Sequence, residues 1–132
     1  MNIAILESEL LTDPLGVGYA GLDDAAAAAA LNALTRQRDV TSLAHTIVYN
    51  AIDQSDWSGL TNAGRQEVWD ILHLGGDGLN PWGREADRFI ALFGGGSATI
   101  TTLAALRVES ISRGDELGIG RVKPGHVAEA RA

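Results

Sequence analysis

Apolar residues recur at three- and four-residue spacing along most of the chain, and this pattern predicts helices. Asn2 is placed to cap a first helix running to about Thr12, with Ile3, Leu6 and Leu10 on one face. Asp13-Pro14 ends it, because the residue before a proline is pushed out of the helical region. After a loop through Gly21, Asp23 or Asp24 caps a second helix to about Gln37, with Leu31 and Leu34 as its larger contacts. Its six consecutive alanines combine high helix propensity with a thin surface suited to close helix approach. A third helix from Thr41 or Ser42 carries the stripe Leu43, Ile47, Val48, Ala51 and Ile52. The polar connection 53–60 has room for one helical turn that plants Trp57.

Thr61 caps a fourth helix to about Leu74, burying Val68, Trp69 and Leu72, with Gly75-Gly76 as its stop. A fifth helix spans about Arg84–Phe93, with Phe89, Ile90 and Phe93 as its apolar side. After Gly94-Gly95-Gly96-Ser97 the longest helix is expected from about Ala98 to Leu117, striped by Ile100, Leu103, Ala104, Val108 and Ile111. Gly118 and Gly120 close it, and an extended arm with a Pro-Gly turn and a last helical turn follows. No alternating strand pattern of useful length stands out. The expected fold is all-α: a compact bundle of five or six helices with a long penultimate helix and an extended C-terminal arm. In domain terms this is a helical body, 1–117, and a C-terminal docking arm, 118–132.

Composition sharpens the picture. The 132 residues fit one ordinary domain, and 45% hydrophobic with 20% charged residues is a globular balance. The 16 glycines cluster between the helical patterns, as helix stops and tight turns do. No cysteine is present, which excludes disulfides, thiol catalysis and zinc-thiolate sites. A formal charge of −7 argues against a general nucleic-acid coat that neutralises phosphates. The negative charge lies mostly in the first half, whereas Arg121, Lys123 and Arg131 face Glu129 alone after Leu117. No apolar run approaches the roughly 18 residues of a membrane span. Met1-Asn2-Ile3 lacks the basic start of an export signal, so none is expected.

Candidate chemistry is sparse. Glu67, Asp70 and His73 share one helical face and could form a three-ligand site, but such spacing is equally that of an ordinary exposed helix. Gly16, Gly18 and Gly21 match a GxGxxG spacing without the preceding strand a dinucleotide fold requires. Gly94–Thr99 lacks the Lys-Ser/Thr ending of a phosphate loop and reads as a turn followed by a helix cap. Asp23-Asp24 reads as helix capping, and the Arg36-Gln37-Arg38 cluster as a helix-end charge. Asp115-Glu116 sits where a helix end disfavours negative charge, so Arg113, Arg121 or a partner's cation would compensate. Trp82, between Pro81 and Gly83, either presents its indole to a partner or folds back as a lid. The segment 41–52 could imitate a helix-turn-helix, but it is too poor in Arg and Lys for base or phosphate contacts. No catalytic residue, cofactor or metal is assigned, and the chain is not expected to be an enzyme.

The segments Asp13-Pro14-Leu15-Gly16-x-Gly18-Tyr19-Ala20-Gly21, Leu31-Asn32 and Thr41-Ser42 follow a pattern found in small proteins of tailed bacteriophages. So do Phe93-Gly94-Gly95-Gly96-Ser97-Ala98-Thr99-Ile100, Arg107-Val108-Glu109-x-Ile111-Ser112-Arg113 and the stretch from Glu116 to Val127. Across almost the whole chain the sequence resembles small helical virion structural proteins of the head–tail connector, or adaptor, class. The resemblance implies a ring of about twelve copies beneath the portal protein, touching neck or tail proteins, with genomic DNA as passing cargo and no membrane contact. It places the partner-binding residues in the arm, at Arg121, Val122, Lys123, Pro124, His126, Val127 and Arg131, with Trp82 added from its exposed-loop position. Localisation would be the virion, assembled in the bacterial cytoplasm. A capsid decoration protein, a tail-completion protein or a non-structural regulatory binding module are the alternatives.

Overall fold

The computed structural model describes residues 1–74, 76 and 78–132, so Gly75 as a helix stop and Asp77 in the following loop lie outside the described residues. The chain is mainly helical. Its elements are α1 (Ile3–Thr12), α2 (Asp24–Asn32), β1 (Arg36–Asp39), α3 (His45–Ala51), α4 (Gln54–Ser58) and α5 (Asn62–Leu74). There follow α6 (Arg84–Phe93), α7 (Ala98–Ala105), β2 (Val108–Ile111), α8 (Arg113–Glu116) and α9 (Pro124–Arg131), with a 3-10 turn at Tyr19–Gly21. Strands β1 and β2 pair in a two-stranded sheet. The chain divides into two compact units: residues 1–38 with 110–132, and residues 39–109. The boundary expected between 117 and 118 therefore falls inside the first unit.

The first unit is built from both ends of the chain. Asn2 caps α1 by accepting from the Ile5 N–H at 3.3 Å. Asp13 closes the helix in the left-handed region, at φ 40°. Its carboxylate then accepts from the Val17 N–H at 2.8 Å and the Gly18 N–H at 2.7 Å. Gly16 and Gly18, both at positive φ, let the loop wrap around that carboxylate, so the GxGxxG spacing is a turn built on an aspartate. Asp23 caps α2 through the Ala26 N–H at 2.7 Å. The polyalanine face puts Ala27 and Ala28 in the core with Leu6, Leu10, Tyr19 and Leu31, and α9 packs against α1 and α2 with Val127 and Ala130. Each fully buried Leu- or Val-sized side chain contributes about 1.5–3 kcal/mol.

Several expectations are corrected here. The second helix stops at Asn32, because residues 36–39 are extended and pair with β2, leaving Leu34 exposed. The long penultimate helix does not form. Helix α7 ends at Ala105, Val108–Ile111 become β2, and Ser112 caps a separate α8 through the Asp115 N–H at 3.0 Å. Backbone pairing with β1 overrides the helical spacing of Val108 and Ile111, whose β-branched side chains suit a strand. Nor is 118–132 an extended arm, since 124–131 form α9 and Val122 and Val127 are wholly buried.

The second unit is one continuous stretch carrying α3 to α7. Its core gathers Leu43, Val48, Val68, Ile71, Leu72, Leu79, Phe89 and Ile100. The single turn expected near Trp57 is α4, capped by Asp53 through the Ser55 and Asp56 amides at 2.9 and 3.1 Å. Thr61 caps α5 through the Gly64 N–H at 3.0 Å. Ser97 caps α7 through the Ile100 N–H and returns its own hydroxyl to the Gly94 carbonyl, so the triglycine segment is a turn and a cap. Leu43 and Leu79 exchange backbone hydrogen bonds of 2.7 and 2.8 Å, pinning the chain ahead of α3 to the loop ahead of α6. Ile47, Trp69 and Ile90, all expected on buried stripes, are instead exposed.

Candidate interaction surfaces

The residues expected to bind partners separate into two groups. Val122 and Val127 belong to the first unit's core and are unavailable to another chain. The Val122 backbone forms a reciprocal pair with the Asn32 side chain: its N–H donates to Oδ1 at 2.8 Å, and its carbonyl accepts from Nδ2 at 2.7 Å. Arg131 donates to Asp24 at 2.8 Å and to the Tyr19 carbonyl at 2.7 Å. His126 turns inward on its own helix, where Nδ1 accepts from the Lys123 N–H at 3.1 Å. Arg121, Lys123 and Pro124 remain exposed. The C-terminal segment is thus chiefly an internal strap.

The first unit's charges are also committed internally. Glu9, in the middle of α1, is buried and takes a bidentate pair from Arg113, Nε to Oε1 at 2.8 Å and a terminal nitrogen to Oε2 at 2.9 Å. Arg113 also reaches Glu116, which pairs with Arg36. The hydrogen bond from Arg36, with the two arginine charges, holds the Glu116 carboxyl below its usual range. Of the two arginines named for the acidic helix end, Arg113 pairs there, and Arg36 rather than Arg121 is the second partner. Burial, then the Glu9 charge nearby, pushes the Tyr19 phenol up to about 12.

The proposed metal face on α5 has three separate attachments. Glu67 accepts a bidentate pair from Arg88 at 2.6 and 2.9 Å, Asp70 accepts from Gln66 at 3.0 Å, and His73 Nδ1 lies 2.6 Å from the Trp69 carbonyl. Among the described residues no group of three or more potential ligands converges on a metal position.

Two features of the second unit face outward. A partly enclosed cavity of about 90 Å³ is walled mostly by apolar side chains, including Leu79, Pro81, Phe89, Ile90 and Leu103. Glu85 and Arg107 are its ionisable lining residues among those described. The Arg107 guanidinium lies 3.7 Å from the centre of the Trp82 ring, and Trp82 Nε1–H donates to the Arg107 carbonyl at 3.3 Å. Trp82 therefore folds back onto Arg107 yet keeps nearly half of its surface exposed. Arg107 Nε is buried and has no hydrogen-bond acceptor among the described residues.

The second feature is an aromatic face. Trp69 lies 5.7 Å from Tyr49, 6.0 Å edge-on from Trp57 and 6.1 Å from His73, centre to centre. Tyr49 and Trp69 are 54% and 40% exposed, a large apolar area for a surface. His45 sits beside it with Nε2 buried and unpartnered. Helical spacing misassigned Trp69 as core and Arg107 as part of a long helix. The usable signal was composition: Trp and Arg are the residues enriched where proteins meet. No protein-family model, curated protein or solved structure matches this chain.

Proposed function

We propose that this chain is a structural component of a tailed-phage virion, a subunit of a head–tail adaptor ring joining the portal to the tail or neck. The observation that supports this reading most is the outward chemistry of residues 39–109. Exposed tryptophan and tyrosine, together with an apolar cavity edged by Glu85 and Arg107, form the kind of surface that holds another protein. Neither the cavity lining nor the aromatic face sets a nucleophile against a base and an acid, the arrangement acyl-transfer chemistry uses. A net charge of −7 suits the wall of a channel along which DNA slides, because negative walls repel phosphate. Docking on the portal falls to the exposed Arg121, Lys123 and Pro124 and to Trp82, while Val122 and Val127 hold the subunit together.

Mass spectrometry and electron microscopy of purified particles test this directly. The expected result is about twelve copies on the tail axis, one closed ring. Several hundred copies over the shell would make the chain a decoration protein. Complete absence from infectious particles would remove the virion reading altogether.

A further inference from the structure

The cavity of the second unit is apolar, about 90 Å³ in volume, and open on one side. That is room for one aliphatic side chain. At its edge Arg107 carries a buried Nε–H with no acceptor, and an unmet donor of this kind is costly unless something supplies an oxygen. A fitting occupant therefore brings a branched apolar side chain with a carboxylate one short step away.

The first unit presents such a pair. Leu11, on α1, is 77% exposed, the most exposed of the large hydrophobic residues. Glu7 lies one helical turn earlier on the same face, is itself exposed, and makes no hydrogen bond or ion pair among the described residues. The other exposed apolar residues of this unit fit less well. Ile5 is one turn from Glu9, which Arg113 already occupies. Leu15 and Val17 neighbour Asp13, whose carboxylate holds its own loop. Leu34 has Arg36, a cation, as its nearest charge.

We infer that the cavity receives Leu11 of a second copy of this chain, with that copy's Glu7 accepting from Arg107. The two sides of the contact are different surfaces, so it is heterologous, and repetition generates a ring where the rotation closes. The inference rests on the adaptor-ring reading and deepens it by naming a subunit contact. A single inserted side chain is a small interface, and ring closure strengthens it by making the last contact intramolecular.

The absence of cysteine makes the test clean. Full-length Leu11→Cys and Ile90→Cys proteins are prepared separately, mixed, and treated with a short bis-maleimide; Ile90 lies on the cavity rim. Random pairing alone gives the mixed L11C–I90C product at about twice each like-with-like product, and the inferred contact is expected to raise it well above that ratio. Adding Glu7→Lys to the L11C protein is expected to lower the mixed product about tenfold, and this surface change leaves the fold intact by circular dichroism. Dominant L11C–L11C product, the random-pairing ratio of the three products, or indifference to E7K would each overturn the inference. Particles that contain the chain but show no mixed product would overturn this contact and leave the virion role standing. A mixed product in solution from a chain absent from particles would do the reverse.

Discussion

The two units reach stability by different means. The first ties remote parts of the sequence together with charge: Glu9 with Arg113, Asp24 with Arg131, and Arg36 with Glu116. The second is a continuous stretch in which an apolar core and local helix caps do most of the holding. The first spends Arg36, Arg113 and Arg131 internally. The second leaves Arg107 without an acceptor and its tryptophan and tyrosine rings partly in solvent. Charges tied across a unit act as a frame, whereas an unmet donor and exposed rings are open to recognition.

Breaking the frame has the largest expected effect. Glu9→Gln removes the buried carboxylate from its bidentate pair, leaving Arg113 with Glu116, and is expected to cost the first unit about 1.5–3 kcal/mol, the range for hydrogen bonds to a charged group. Hydrogen exchange should show lost protection in α1, α2 and α9, with much smaller loss in α5 and α6. Equal loss in all five helices would mean that the units are one cooperative block. A smaller effect is expected in the second unit from Asp56→Ala. The Asp56 carboxylate accepts from the Thr99 N–H at 2.9 Å and the Thr99 hydroxyl at 2.7 Å, fastening α4 to the first turn of α7. Its loss should lower the midpoint of chemical denaturation, by less than Glu9→Gln does.

The smallest effect sharpens the comparison through pH. Tyr19 has a folded-state pKa raised to about 12 from 10.0, so its contribution is complete below pH 10 and is lost as pH rises towards 12. Asp56 runs the other way. The Thr99 hydrogen bonds lower its pKa from 3.8, so its contribution is complete above that value and is lost as pH falls through the lower folded one. The first unit should therefore weaken on the alkaline side and the second on the acid side. Tyr19→Phe should flatten the alkaline limb of a denaturation series; an unchanged limb would place its origin elsewhere.

How far the sequence could be read followed from how local each cause was. Helix starts at Asn2, Asp23, Thr61 and Ser97 were legible because one side chain reaching an amide two or three residues ahead leaves a local signature. Strand β1, Arg-Gln-Arg-Asp, was not, because it has no apolar alternation and exists through pairing with β2 more than seventy residues away. The burial of Val122 and Val127 was hidden for a similar reason, since what covers them is the opposite end of the chain. For the interaction surfaces, Trp82 could be singled out from its flanking proline and glycine. Arg107 could not, because its isolation is a matter of what fails to lie near it.

The order of the two units along the chain also bears on biosynthesis. Residues 39–109 are complete before Val122 and Val127 have been translated. The inserted unit therefore leaves the ribosome ahead of α9, and the cover that Val127 and Ala130 give to the core shared by Leu6 and Leu10 arrives last.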